Sequence, residues 1–208
     1  MKLFAIAAIV AVLSGCAVGN QHGYSTQIPN LTISGSHAVA VATEDARSYV
    51  LSKDKAPNFV GLSRGGFGNP FDITTGSGRP LADDFSLSIA RSLEVRGFKS
   101  TVVNVGAPMS ADQARAFISR AAAERLALVT INEWKSDTFM NTALHYDVLL
   151  RVYDASGAQL AANRITGDDN LGGNAINPPA HAKLAVPAAY KKKLEELFGS
   201  EAVLNSLR

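Results

Sequence analysis

The only cysteine in the chain, Cys16, stands at the end of an apolar run. Met1 and Lys2 give a short positive start, residues 3–13 are apolar throughout, and Ser14 and Gly15 lead into the cysteine. This placement limits the fold in two ways. Eleven residues make a helix of about 16 Å, roughly half of a ~30 Å hydrocarbon core. The run therefore has the proportions of a secretory signal, not of a membrane span. A chain whose single thiol lies there also folds without a disulfide and without a Cys₄ or Cys₂His₂ zinc site. Packing has to hold the rest, and about 190 residues are enough to bury a stable core.

Leu13-Ser14-Gly15-Cys16 resembles the lipobox of bacterial lipoproteins. The resemblance implies a signal peptide over residues 1–15, acylation of Cys16 and attachment to a membrane through that lipid. Ala17 follows the cysteine where aspartate is the usual inner-membrane retention signal, so the expected location is the outer membrane, facing the periplasm. Residues 16–36 are rich in Gly, Asn, Gln, Ser and Thr. Such a composition reads as a flexible tether with an r.m.s. span of about 25 Å. The globular domain is expected over residues 37–208.

Lys and Arg number 20 against 18 Asp and Glu, a net charge of +2. That balance is not a nucleic-acid footprint. The dense basic run, Lys191 to Lys193, is followed by Glu195 and Glu196 and reads as a solvated helix face.

Residues 37–43, small and β-branched, read as a central strand. Residues 58–62 and 71–75 read as an irregular hairpin around Gly65-Gly66-Phe67-Gly68-Asn69-Pro70. Leu81, Phe85, Ile89 and Leu93 recur every four residues as a helix stripe, with Asp83 and Asp84 in the first turn and Gly97 past its end. Residues 98–105 read as a strand. Ser110 can cap a second helix whose face carries Ala114, Phe117, Ile118, Ala121, Ala122 and Arg125. Residues 126–134 form a strand buried on both sides at Leu128 and Val129. In residues 141–153, Leu144, Tyr146, Val148, Leu150 and Val152 alternate with His145, Asp147 and Arg151. A return strand follows over 158–166, then a polar loop over 167–179. A final helix, interrupted at Pro187, carries Tyr190, Leu194, Leu197 and Phe198. This order predicts a single-domain α/β sandwich: a mixed, largely antiparallel sheet with helices packed on one face.

The strand closing on Asp45-Ala46-Arg47, the Leu81/Phe85/Ile89/Leu93 helix ending at Gly97-Phe98, the strand 126–134 and the meander after it resemble the YajG-like family of bacterial lipoproteins, over roughly residues 38–166. The resemblance implies an envelope lipoprotein of no established activity and transfers no catalytic residue. Auxiliary lipoproteins of envelope transport systems use similar small α/β domains.

Gly61-Leu62-Ser63-Arg64-Gly65 fits G-x-S-x-G, with Asp147 and His181 in the right chain order for a triad. The glycines and proline that follow cannot start the helix this motif requires. Gly76-Ser77-Gly78-Arg79 precedes a helix and offers donors for an anion. Asp168, Asp169 and Asn170 cluster oxygen ligands without EF-hand spacing. None of these outweighs its plainer reading as turn or solvated loop. The expectation is a non-enzymatic accessory lipoprotein that binds or scaffolds an envelope partner, with no cofactor, no metal and no nucleic acid. Phe59, Phe67, Phe71, Trp134 and Phe139 are its candidate contacts. A periplasmic serine hydrolase using Ser63 and a carrier of a lipid or small apolar ligand are the alternatives.

Overall fold

The structure, a computed structural model, describes residues 19–105 and 110–208. The expected signal peptide, Cys16 and Ala17 lie outside them. In chain order the elements are β1 (Gln21–His22), β2 (Ala38–Asp45), α1 (Ser48–Leu51), β3 (Phe59–Arg64), β4 (Pro70–Thr75), α2 (Leu81–Val95), β5 (Lys99–Val102), α3 (Ala111–Arg120), β6 (Arg125–Thr138), β7 (Asn141–Asp154), β8 (Gln159–Gly173), α4 (Pro178–Phe198) and α5 (Glu201–Leu207).

The long strand β6 organises an eight-stranded mixed sheet. One of its edges pairs antiparallel with β7 from Arg125↔Asp154 to Thr138↔Thr142. The other edge is shared. β2 lies parallel along Arg125 to Ile131, and β3 lies parallel along Ser136 to Thr138. The sheet therefore divides into a β2–β5 wing and a β3–β4–β1 wing. Both wings join β6 through parallel pairings, so the expected largely antiparallel sheet is replaced by a mixed, open one.

The guanidinium of Arg47, wholly buried, fills the point of division. It pairs with Asp45 at 2.6 and 2.8 Å and donates to the carbonyls of Phe59, Pro57 and Trp134 at 2.6, 3.0 and 3.4 Å. Where β2 leaves β6 and β3 takes its place, this arginine gathers carbonyls from three segments, and the Tyr49 hydroxyl also donates to that of Trp134 at 3.3 Å.

The main core lies between one face of the sheet and α2, α4 and α5. The Leu81/Phe85/Ile89/Leu93 stripe is at most 1 % exposed and α2 packs over β2 and β5, while the alternating apolar residues of β7 are buried in the same core under α4 and α5. Trp134, Phe85, Tyr190 and Tyr24 meet edge-to-face at centroid distances of 4.8–6.2 Å. The helices do not share one face, however. A second cluster of Ala40, Ala42, Leu126, Leu128 and Tyr153 packs against Ala114 and Ile118 of α3 on the opposite side. Strands apolar on both faces require cover on both, and the sandwich gives way to a sheet with helices on either side. α3 opens with a capping box, Ser110 and Gln113 each bonding the other's backbone. Arg125, expected on that helix, instead begins β6.

Three further expectations are corrected. The return strand β8 runs on to Gly173, through most of the expected polar loop. Its Gly167 lets the Tyr146 hydroxyl approach, since a Cβ there would lie 2.6 Å from it. α4 runs unbroken through Pro187, because Val186, Tyr190, Leu194 and Leu197 are buried along it. The strand expected over 98–105 spans only Lys99–Val102.

Most importantly, residues 19–36 are not a free tether. β1 pairs parallel with β4, Gln21↔Thr74 and His22↔Thr75. Tyr24, Leu31 and Ile33 are at most 2 % exposed. Backbone carbonyls of Gln27 and Ser25 accept bonds from Ser88 and Arg91 of α2. A few apolar residues, each placed over the core, outweigh the polar composition between them.

Candidate functional site

β3 runs parallel to β6 with Ser63↔Thr138, so the β3–β4 hairpin tip and the β6–β7 turn lie level. Asn141 pairs with Gly173, which adds the loop after β8 to the same end of the sheet. Three connections thus meet: 65–69, 139–140 and 174–177. Each is held by its own hydrogen bonds. Gly65 and Asn69 close the hairpin at 2.9 Å, with Gly68 at φ +81°. The Phe139 amide donates to the Asn141 carbonyl at 3.0 Å. The side chain of Asn174 accepts from the amides of Ile176 and Asn177 at 2.9 and 3.0 Å. From these connections Phe67 and Ile176 stand 97 % and 96 % exposed, with Met140 and Phe139 about half exposed. Arg64, Phe139, Met140, Ile176 and Pro179 line one shallow recess there.

The five aromatic candidates therefore divide. Phe67 and Phe139 come together at this end. Phe71, on β4 opposite Ser63, is half-buried. Phe59 and Trp134 are core residues, 3 % and 1 % exposed, and cannot meet a partner. Trp134 is the hub of the aromatic cluster, and its indole N–H donates to the Tyr24 hydroxyl at 3.2 Å. Ile176 completes the patch. Its signal in the sequence was a lone large apolar residue in the polar run Asn174-Ala175-Ile176-Asn177.

The G-x-S-x-G serine lies within a strand, not on a strand-to-helix turn. Ser63 is 1 % exposed and its hydroxyl has no hydrogen-bond partner among the described residues. Asp147 is engaged by Arg164 at 2.7 Å, and the His181 ring bonds the Leu171 carbonyl at 3.0 Å. The three expected triad members are thus held in separate arrangements. The glycine-rich entry to α2 already holds an anion of its own, the buried carboxylate of Asp84, which Ser77 and Arg79 bond at 2.9 and 3.3 Å. His145 pairs with Asp168, and Asp169 pairs with Lys193 at 2.9 Å. The oxygen cluster expected in a loop is therefore part of β8. Where the carrier reading expects a cavity between sheet and helices, the aromatic cluster fills the space. A cleft of about 470 Å³ opens instead at the C-terminal ends of β2 and β5, lined by Leu51, Pro80, Ala82, Val103 and Val105 with Glu44, Asp45 and Asp83.

His22 marks how firmly the N-terminal segment is built in. It is 2 % exposed, its Nε2 lies 3.2 Å from the Ser136 hydroxyl, and burial lowers its pKa to about 4. An unfolded histidine titrates near ~6.5. Between those values the unfolded chain takes up a proton that the folded chain refuses. Stability is therefore fully kept above about pH 6.5 and falls as pH drops towards 4, by about 3 kcal/mol from this residue. In His22→Gln the urea midpoint should change less between pH 7 and pH 4.5 than in the wild type. An identical pH dependence would contradict the burial of this ring.

No protein-family model matches the chain, and no curated protein sequence does. Solved structures do. Protein XCC0632 from Xanthomonas campestris, of family DUF330, superposes with a TM-score of 0.50 at 12 % identity, over 90 % of this chain and 95 % of that one. A PelC dodecamer from Paraburkholderia phytofirmans gives 0.47 at 13 %, over 88 % and 95 %. Lipoprotein GNA1162 from Neisseria meningitidis gives 0.31 at 9 %, over 77 % and 99 %. The first is a likeness of fold, and at such identities fold is all that a likeness conveys.

Proposed function

We propose that the protein is a lipid-anchored accessory module of the cell envelope, acylated at Cys16, facing the periplasm from the outer membrane, that binds a protein partner and performs no catalysis. The YajG-like resemblance and the lipobox support the anchor. The observation that carries partner binding is the free edge of β8. This strand is fifteen residues long and, among the described residues, pairs only with β7. An open edge is a row of unsatisfied backbone donors and acceptors, a template for an added strand. Its exposed side alternates Ala162, Arg164, Thr166, Asp168 and Asn170, polar enough to stay soluble alone. α4 and α5 pack on its other face.

The test is photo-crosslinking in cells from Leu160 and Thr166, both exposed on β8, with Ala155 beyond the strand as control. The expected result is one shared adduct at 160 and 166 that is absent at 155. Equal labelling at all three, or none, would contradict an edge-bound partner.

A further inference from the structure

We propose that the end of the domain bearing Phe67, Phe139, Met140 and Ile176 is a bilayer-docking surface, its apolar tips seated in the phospholipid leaflet that holds the Cys16 lipid. The proposal rests on the acylation reading for its anchor and adds the orientation of the domain to it.

The direction of the chain points to this occupant. β4 runs away from the hairpin tip and β1 lies parallel to it, so the chain reaches Gln21 from the side of the tip. The Asn20 carbonyl accepts from the Thr74 amide, and Asn20 shares a small recess with Ser63, Thr138 and Pro179, each next to one of the three connections. Five peptide steps separate Cys16 from Gln21, a reach of about 17 Å at most. With residues 19–36 folded into the core, no further slack remains. A lipid on Cys16 has to hold this end of the domain, and no other, at the membrane.

The chemistry of that end agrees. The connections 65–69, 139–140 and 174–177 contain no charged residue. Lys183 flanks them, a cation suited to anionic headgroups, while the charge of Arg64 is matched by Asp137 at 2.6 and 2.8 Å. The opposite end of the sheet carries Lys99, Glu124, Arg125 and Asp154 around Ala38, a charged surface suited to water. Phe67 and Ile176 project singly from separate, internally bonded loops. Such tips enter a deformable interface one by one, as interfacial apolar side chains do. Insertion of the tips adds buried apolar area to the hold of the anchor.

The test uses the membrane-extracted protein on vesicles of phosphatidylethanolamine and phosphatidylglycerol, present in excess. Single cysteines replace Phe67, Ile176 or, as control, Ala155 and carry an environment-sensitive fluorophore. The expected result is a several-fold rise and blue shift in emission at 67 and 176, quenched by spin-labelled lipid, with 155 unchanged. The intact mass of the same samples reports acylation separately. Shifted labels without acylation keep the docking surface and remove the anchor. Acylated protein with labels at 67 and 176 still in water overturns the docking surface and keeps the anchor. Labels that shift only when a protein is added to lipid-free samples assign the patch to a protein partner and overturn the proposal.

Discussion

Arg47→Ala is expected to destabilise the fold by about 3–5 kcal/mol, the range for removing one partner of a buried ion pair. The substitution takes away donors to Asp45 and to three backbone carbonyls at the place where β2 and β3 share the edge of β6. What remains is a carboxylate held only by the residue 47 amide at 3.3 Å, a Trp134 carbonyl left to the Tyr49 hydroxyl at 3.3 Å, and the Phe59 and Pro57 carbonyls without the guanidinium. A buried acceptor that loses its donor costs more than the bond itself. Arg47→Lys should recover little, since one ammonium cannot reproduce a planar fork reaching Asp45, Phe59 and Pro57 together. Urea unfolding at pH 7, read as a change in midpoint at constant slope, measures the loss. A change below 1 kcal/mol would mean that the sheet divides without help from this residue.

Phe85→Ala is expected to cost a similar amount, about 3–5 kcal/mol. Phe85 is fully buried and meets Tyr190 at 4.8 Å and Trp134 at 5.4 Å between centroids. Alanine leaves a void bounded by large rings that cannot collapse into it without moving α4. Phe85→Leu, which keeps most of the volume, should cost distinctly less. Equal losses for both, or a loss under 1 kcal/mol for alanine, would contradict the packing of α2 on the sheet.

These two residues also show what the sequence made legible. Phe85 was readable because its stripe repeats every four residues and the neighbouring elements need not be known. β7 was readable because strict alternation has a single interpretation. Arg47 was not, since its partners lie up to 87 residues away and nothing local distinguishes it from a surface arginine. Trp134 was misread for a geometric reason. Ala127, Val129 and Ile131 face the main core, but an irregularity in pairing between Ile131 and Glu133 shifts the register. Trp134, Ser136 and Thr138 then take the buried positions. A change of parity within one strand leaves no trace in composition. Residues 19–36 were misread because burial there depends on Tyr24, Leu31 and Ile33 meeting a core built by distant elements. Of the exposed apolar patch, Phe67 and Phe139 were legible as aromatic residues in glycine-rich or turn-forming sequence. Their union with Ile176 depends on the register of β3, β6, β7 and β8, which only the fold supplies.

The hairpin end and the free β8 edge assign different work to two sides of one small domain. On the proposed reading, the first faces the lipid and the second stays open to the periplasm. Both assignments depend on the anchor. The intact mass and N-terminal sequence of the protein extracted from membranes test it most directly. The expected result is a chain beginning at Cys16 with acyl groups on the cysteine, and none in Cys16→Ser. A chain that begins elsewhere, or one that begins at Cys16 with a free thiol, would contradict it.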